Sequence, residues 1–345
     1  MHPQLSRAGD WFLHSGIQES NGGVARYYRT DLARNHSVST EITAYTISTL
    51  LYLHTLTQKD EYIARATAAA RFLTRVAWDP VRRLMPFETS PAALTYFFDC
   101  GIIVRGLLSA WRATATEEFR EVAIALGRSM ARDFIDGNNE FHPILELPSL
   151  TPADCDPLRW SHSTGCYQLK AAMAWHDLAE VTGDPEFQPL YHRALENALR
   201  SYARFLPGHP DAHRVMDRLH AFLYFLEGLL PCASDPRYAA ALCDGIRRTA
   251  HYLHEIAPEF ERSDVYAQLL RIRIYAAHAG AAPLDRADAE REAATLETFQ
   301  AENGGFFFGR KNGVFLPYEN PVSTAFALQA LALWDGQSPD RRLLI

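Results

Sequence analysis

The chain has 345 residues, of which 48% are hydrophobic, 22% charged and 12% aromatic. That composition excludes disorder as the main state and supplies material for a large core. Lys and Arg number 34 against 41 Asp and Glu, a net charge of −7, which argues against nucleic acid as a partner. No stretch reaches the roughly 18 apolar residues that a membrane span needs. The first ten residues, Met1 to Asp10, lack the apolar core of a signal peptide, so a cytoplasmic location is expected. Five cysteines, Cys100, Cys155, Cys166, Cys232 and Cys243, are widely spaced without a Cys-x-x-Cys pair. They read as reduced thiols, four of them buried, and no zinc-ligand spacing is visible.

Taken in chain order, the elements are helical. An amphipathic helix is predicted over about residues 4–18. Apolar helices are then predicted to begin near Thr40, Asp99, Ser163, Asp217, Asp264 and Thr324. Each is apolar around most of its circumference, as in Gly101 to Trp111, which marks a helix buried on several sides. An amphipathic helix follows each of the first five. Four of these open on an acidic residue and then an aromatic one: Asp60-Glu61-Tyr62, Glu117-Glu118-Phe119, Asp184 to Phe187 and Asp235 to Tyr238. Asp followed by Pro is helix-start chemistry, with the carboxylate capping and the proline at the first helical position. Six buried and six amphipathic helices make six hairpins. An open solenoid would need polar capping repeats at its ends, and none is visible. The expected fold is therefore all-α, a single (α/α)6 barrel, or toroid, spanning 1–345.

One repeat is explicit. Gln18-Glu-Ser-Asn21-Gly22-Gly23 recurs as Gln300-Ala-Glu-Asn303-Gly304-Gly305. The first copy leads to Ser39-Thr40 and the second to Ser323-Thr324, and each Ser-Thr pair opens an apolar helix. The final unit, Gln300 to Phe306 and then Ser323 to Leu331, resembles the glutamine-tryptophan repeat of the terpenoid cyclases, with Phe306 in place of Trp. The whole pattern resembles the six-hairpin toroids, which include those cyclases, protein prenyltransferase β-subunits and many glycan-active (α/α)6 enzymes. The cyclase acids Asp-x-Asp-Asp and Asp-Asp-x-x-Asp are absent from the sequence. Asp154-Cys155-Asp156 matches a prenyltransferase zinc set only superficially, in a Pro-rich loop with no suitably placed His. The resemblance therefore points to the glycan-active branch.

In such a ring the N-termini of the inner helices meet at one pole, where unpaired N–H groups and helix dipoles favour an anionic ligand such as a uronate. The residues near those starts are the candidates. Catalytic roles fall to Glu41, Asp99, His162, Asp217 and Asp264. Substrate-binding roles fall to Arg26, Tyr45, Glu88, Trp160, Tyr167, Arg218, His220, Tyr266, Arg310 and Tyr318. Asp99 lies in an apolar run, where a carboxylate is costly unless it is paired or used. Asp217 and Asp264 read equally as helix caps or first-turn acids, and Glu41 equally as a first-turn acid. Asp217 and His220, three apart on one helix face, read equally as a structural pair. Trp160, His162 and Tyr167 at a helix entrance offer an apolar face for a pyranose ring and two groups for proton transfer.

Two chemistries fit. Glycoside hydrolysis needs two carboxyl groups, one protonated and one ionised. A uronate lyase or sugar epimerase needs a base such as His162 or Tyr167 and a cation such as Arg218 or Arg310 for the enolate. Neither requires a metal or a cofactor. The expected function is a carbohydrate-active enzyme on a small-molecule or oligosaccharide substrate, in polysaccharide biosynthesis or turnover. The alternatives are an isoprenoid cyclase or transferase with an apolar cavity, and a non-catalytic binding toroid.

Overall fold

Side-chain caps start many of the helices in the computed structural model, which describes residues 3–137, 140–257, 259–338 and 340–345. Twelve α-helices occur among the described residues: α1 Pro3–His14, α2 Thr40–Thr57, α3 Asp60–Phe72, α4 Phe97–Thr114, α5 Glu117–Asp133, α6 Gln168–Thr182, α7 Phe187–Phe205, α8 Ala212–Leu229, α9 Pro236–Ile256, α10 Ser263–His278, α11 Arg286–Glu297 and α12 Pro321–Trp334. Asp211, Asp235 and Asp285 cap α8, α9 and α11 by accepting from a backbone N–H of the first turn, and Asn320 caps α12 ahead of Pro321. The predicted starts near Thr40, Asp99, Asp264 and Thr324 lie within three residues of the observed ones. Two others move by five. α6 starts at Gln168 because Trp160–His162 forms its own 3-10 turn, and α8 starts at Ala212 because Asp211 caps it.

The chain divides into two compact units. One comprises residues 18–26 and 37–198, and it holds α2 to α6 with most of α7. Here the apolar helices α2, α4 and α6 pack side by side, with α3 against α2 and α5 against α4. Gly101 and Gly106 on α4 make this packing close: a Cβ at Gly101 would lie 2.4 Å from the carbonyl oxygen of Ala171, and one at Gly106 2.8 Å from that of Ala44. The other unit comprises residues 1–17, 27–36 and 199–345. There α10 packs against both α8 and α12, with α9 on α8, α11 on α10 and α1 on α12. In both units an apolar helix alternates with an amphipathic one, as the sequence predicts.

The strands are short and lie in the segments between helices. They are β1 Val24–Ala25, β2 Tyr28–Arg29, β3 Arg34–Asn35, β4 Val38–Ser39, β5 Leu94–Tyr96, β6 Ile144–Glu146, β7 Thr151–Pro152, β8 Phe260–Arg262, β9 Gly309–Lys311, β10 Val314–Phe315 and β11 Tyr318–Glu319. All pairs are antiparallel; β4, β5 and β8 lead directly into α2, α4 and α10.

The two explicit repeats form the same local structure. Gln18 Nε2 donates to the Gly22 carbonyl at 3.1 Å, and Gln300 Nε2 donates to the Gly304 carbonyl at 3.1 Å. Asn21 accepts from Gly23 N–H at 2.9 Å, and Asn303 accepts from Gly305 N–H at 3.0 Å. Gly22 and Gly304 have φ of +94° and +100°, where only glycine is unstrained. The match continues with Thr43 and Thr324, whose hydroxyls accept from Val24 N–H and Phe306 N–H, each at 2.9 Å. The equivalent of Thr324 is therefore Thr43 and not Thr40, three residues on from the expected pairing of the Ser-Thr motifs. Counting from the caps Ser39 and Asn320 explains the shift, since each threonine then lies four residues into its helix.

The cysteines differ from expectation. Cys100 and Cys166 are buried, Cys232 is half-buried, and Cys155 and Cys243 are exposed, so two rather than four serve as core residues. Cys155 lies in an exposed loop, and Cys243 on the outward face of amphipathic α9.

Candidate functional site

The first unit collects Arg26, Glu41, Tyr45, Glu88, Asp99, Trp160, His162 and Tyr167. Glu41 is the second residue of α2 and Asp99 the third of α4. Asp99 is 5% exposed, and its Oδ2 is buried with no hydrogen-bond partner among the described residues. Burial pushes its pKa well above the carboxylate range, and the charge of Glu41 pushes it further, against the pull of Arg26. Burial likewise raises Glu41 to about 7, with Arg26 and Lys170 opposing. When Glu41 is ionised its charge keeps the proton on Asp99, so the two carboxyl groups differ: Asp99 holds its proton and Glu41 titrates at about 7.

Around this pair, Arg26 lies over the Phe87 ring at 4.9 Å and 3.4 Å from Glu88, which also accepts from the Ser37 hydroxyl at 2.7 Å. Lys170 on α6 reaches the Tyr45 ring, with Nζ 5.3 Å from its centre. Trp160 packs edge-on against Tyr167 at 5.0 Å, and Tyr167 donates its hydroxyl to the Ser163 carbonyl at 3.0 Å. Burial raises the Tyr167 pKa, which suits it to donate a hydrogen bond rather than to serve as a base. His162 is half-buried in the 3-10 turn that also carries Trp160.

The second unit collects Asp217, Arg218, His220, Asp264, Tyr266, Arg310 and Tyr318. Its centre is Arg262, the last residue of β8, which is 6% exposed. Arg262 donates to Asp264 through Nε at 3.0 Å and Nη2 at 2.5 Å, and to Asp217 through Nη1 at 2.9 Å. Its guanidinium lies 4.4 Å over the Phe308 ring, and that ring stacks on Tyr318. Burial alone would raise the Asp264 carboxyl, but Arg262 and then His220 hold it low. His220 Nδ1 lies 2.7 Å from Gln268 Oε1 and 3.4 Å from Asp264 Oδ2. Burial lowers the ring's pKa to about 4, so it is neutral at pH 7. Donation from Nδ1–H to Gln268 then makes Nε2 the ring's acceptor atom.

Asp264 is a first-turn acid of α10, whereas Asp217 is the sixth residue of α8 and caps nothing. The pairing of Asp217 runs across to Arg262 rather than along α8 to His220. Arg218 donates to the Phe205 carbonyl at 3.0 Å and covers the Phe205 ring at 4.3 Å. Arg310 is committed to Glu261, which also accepts from the Tyr266 hydroxyl at 2.9 Å. Arg262, Gln268 and Lys170 were not singled out in the sequence. Lys170 carried a readable signal, a charge inside the apolar run Leu169 to Trp175. Arg262 stands among polar residues in Glu261-Arg262-Ser263 and carried none.

The fold belongs to a known class: it is the all-α (α/α)6 toroid, and comparison with solved structures shows it. A sugar epimerase from a ruminal bacterium superposes with a TM-score of 0.75 over 97% of this chain and 98% of that one, at 12% identity. The cellobiose 2-epimerase of Spirochaeta thermophila gives 0.69 over 99% and 98%, at 14% identity. The α-1,6-mannanase of Salegentibacter gives 0.61 over 96% and 98%, also at 14% identity. No protein-family model and no curated protein matches the chain.

Proposed function

We propose that the protein is a carbohydrate-active enzyme, of hydrolase, lyase or epimerase type, that works by proton transfer from a coupled carboxyl pair. The observation that carries this reading is Asp99, a buried carboxyl with one oxygen unpartnered and the raised carboxyl of Glu41 acting on it. A carboxyl that titrates at about 7, as Glu41 does, has the proton affinity that general acid–base catalysis uses best. In this reading Asp99 holds the proton and donates it, and ionised Glu41 accepts one or stabilises developing positive charge. Trp160 provides an apolar face for a sugar ring beside Tyr167. The substrate is a sugar or oligosaccharide, and the location is cytoplasmic. No helix among the described residues is long and apolar enough to cross a membrane. The epimerases and the mannanase that share the fold support sugar chemistry.

A second reading has its own support. Neutral His220, oriented by Gln268, is built as a proton acceptor for epimerase-type chemistry.

The test is incubation in D2O with a panel of neutral and uronic-acid mono- and oligosaccharides, followed by proton NMR. Hydrolysis shows as new reducing ends, elimination as a vinyl proton, and epimerisation as exchange of a carbon-bound proton. Turnover is expected, with a fall of about a hundredfold or more in Glu41→Gln and Asp99→Asn. No turnover on any sugar, or turnover unchanged in Asp99→Asn, overturns the carboxyl mechanism. If His220→Gln alone abolishes turnover, the second reading replaces it.

A further inference from the structure

Lys170 stands where an ammonium group is costly. It is 0% exposed, and it is the third residue of α6, at the positive end of the helix dipole. Its Nζ lies 5.3 Å from the centre of the Tyr45 ring. Tyr45 is four residues on from Glu41 along α2, so the two share one face of that helix. Lys170 thus crosses from α6 to the face of α2 that carries Glu41.

We propose that Lys170 is a positioning residue for the carboxyl pair: its buried ammonium holds Glu41 in the ionised form and so assigns the shared proton to Asp99. This rests on the proton-transfer reading above. The surrounding groups support the assignment. Arg26, after β1, acts on both carboxyl groups, whereas Lys170 acts on Glu41. Tyr96, at the end of β5, is raised by burial and by the charge of Asp99, and it also feels Arg26, Arg159 and Glu41. Arg26 therefore favours ionisation of both acids, and Lys170 adds to it at Glu41. Two like carboxyl groups with one asymmetric cation become a distinct donor and acceptor.

The experiment is carboxyl carbon-13 NMR on the whole protein across pH, with the Glu41 signal assigned by its loss in Glu41→Gln. In Lys170→Met the Glu41 midpoint should move up by a pH unit or more, a tenfold gain in proton affinity. In Lys170→Arg, which keeps the charge, it should stay near the wild-type value. An unmoved midpoint in folded Lys170→Met, or an equal rise in Lys170→Arg, overturns the proposal. Should Lys170→Met fail to fold, the reciprocal measurement decides. The Lys170 ammonium, followed through its Cε carbon, must bind its proton less tightly in Glu41→Gln than in wild type, and equal titration refutes the coupling. These signals do not depend on turnover. A shifted midpoint in a protein inactive on every sugar keeps the coupling and rejects the enzyme reading. If turnover exists, the acid limb of its pH profile should move up with the Glu41 midpoint in Lys170→Met.

Discussion

Arg262 grips Asp264 through two parallel hydrogen bonds, Nε to Oδ1 and Nη2 to Oδ2, with both side chains less than a tenth exposed. Its remaining arm holds Asp217. Replacing one partner of a buried pair strands the other as an uncompensated charge. Arg262→Leu should therefore destabilise the fold by about 3–5 kcal/mol. Arg262→Lys should recover part of that, because an ammonium keeps the charge but not the bidentate fork. Urea denaturation of the three proteins at pH 7 measures both. A loss under about 1 kcal/mol in Arg262→Leu would mean that Asp264 finds another cation or takes up a proton.

His220 sets an acid limit on stability. Its folded pKa, about 4, lies below the 6.5 of a free imidazole, so between those values the unfolded chain binds more protons. The stability it contributes is therefore present above pH 6.5 and is lost as pH falls toward 4. The loss is on the order of 3 kcal/mol for a shift of this size. Urea midpoints from pH 4 to 7 should show this slope in the wild type and a shallower one in His220→Gln.

Glu41 has the opposite sign. Its folded pKa, about 7, lies above the reference 4.5, so the folded chain binds more protons between them. That contribution is full below pH 4.5 and is lost as pH rises through 7. Glu41→Gln should gain stability over wild type at pH 8 and show little difference at pH 4.5. Thermal melts at the two pH values read the contrast.

The repeat makes a steric prediction. A Cβ at Gly304 would lie 2.1 Å from the Arg7 carbonyl oxygen, at a φ of +100°. One at Gly22 would lie 2.4 Å from the Ala68 carbonyl oxygen, at +94°. Gly304→Ala and Gly22→Ala should each cost about 2 kcal/mol or more, from overpacking together with backbone strain. Gly280→Ala, at +69° with nothing within 4 Å, should cost less, since strain acts there alone. Denaturation midpoints rank the three.

The sequence by itself determined the twelve helices, their alternation and the explicit repeat. Each of these is a local property: Asp235-Pro236 starts a helix wherever it falls, and the apolar circumference of Gly101 to Trp111 demands burial whatever covers it. It also marked Asp99, because a carboxylate in an apolar run is anomalous without any knowledge of its neighbours, whereas Glu41 stood out only as one of several acids near the inner-helix starts. Only the tertiary structure decided the partners. Lys170 acts on Glu41 from α6, and Asp217 finds Arg262 from β8, far along the chain in both cases. Helical periodicity says which residues share one helix face, as it does for Glu41 and Tyr45, but charge pairing depends on distance in space. The same limit misplaced the start of α8 and with it Asp217. A cap at Asp211 is a single local hydrogen bond, and until it forms, several polar residues compete for the role.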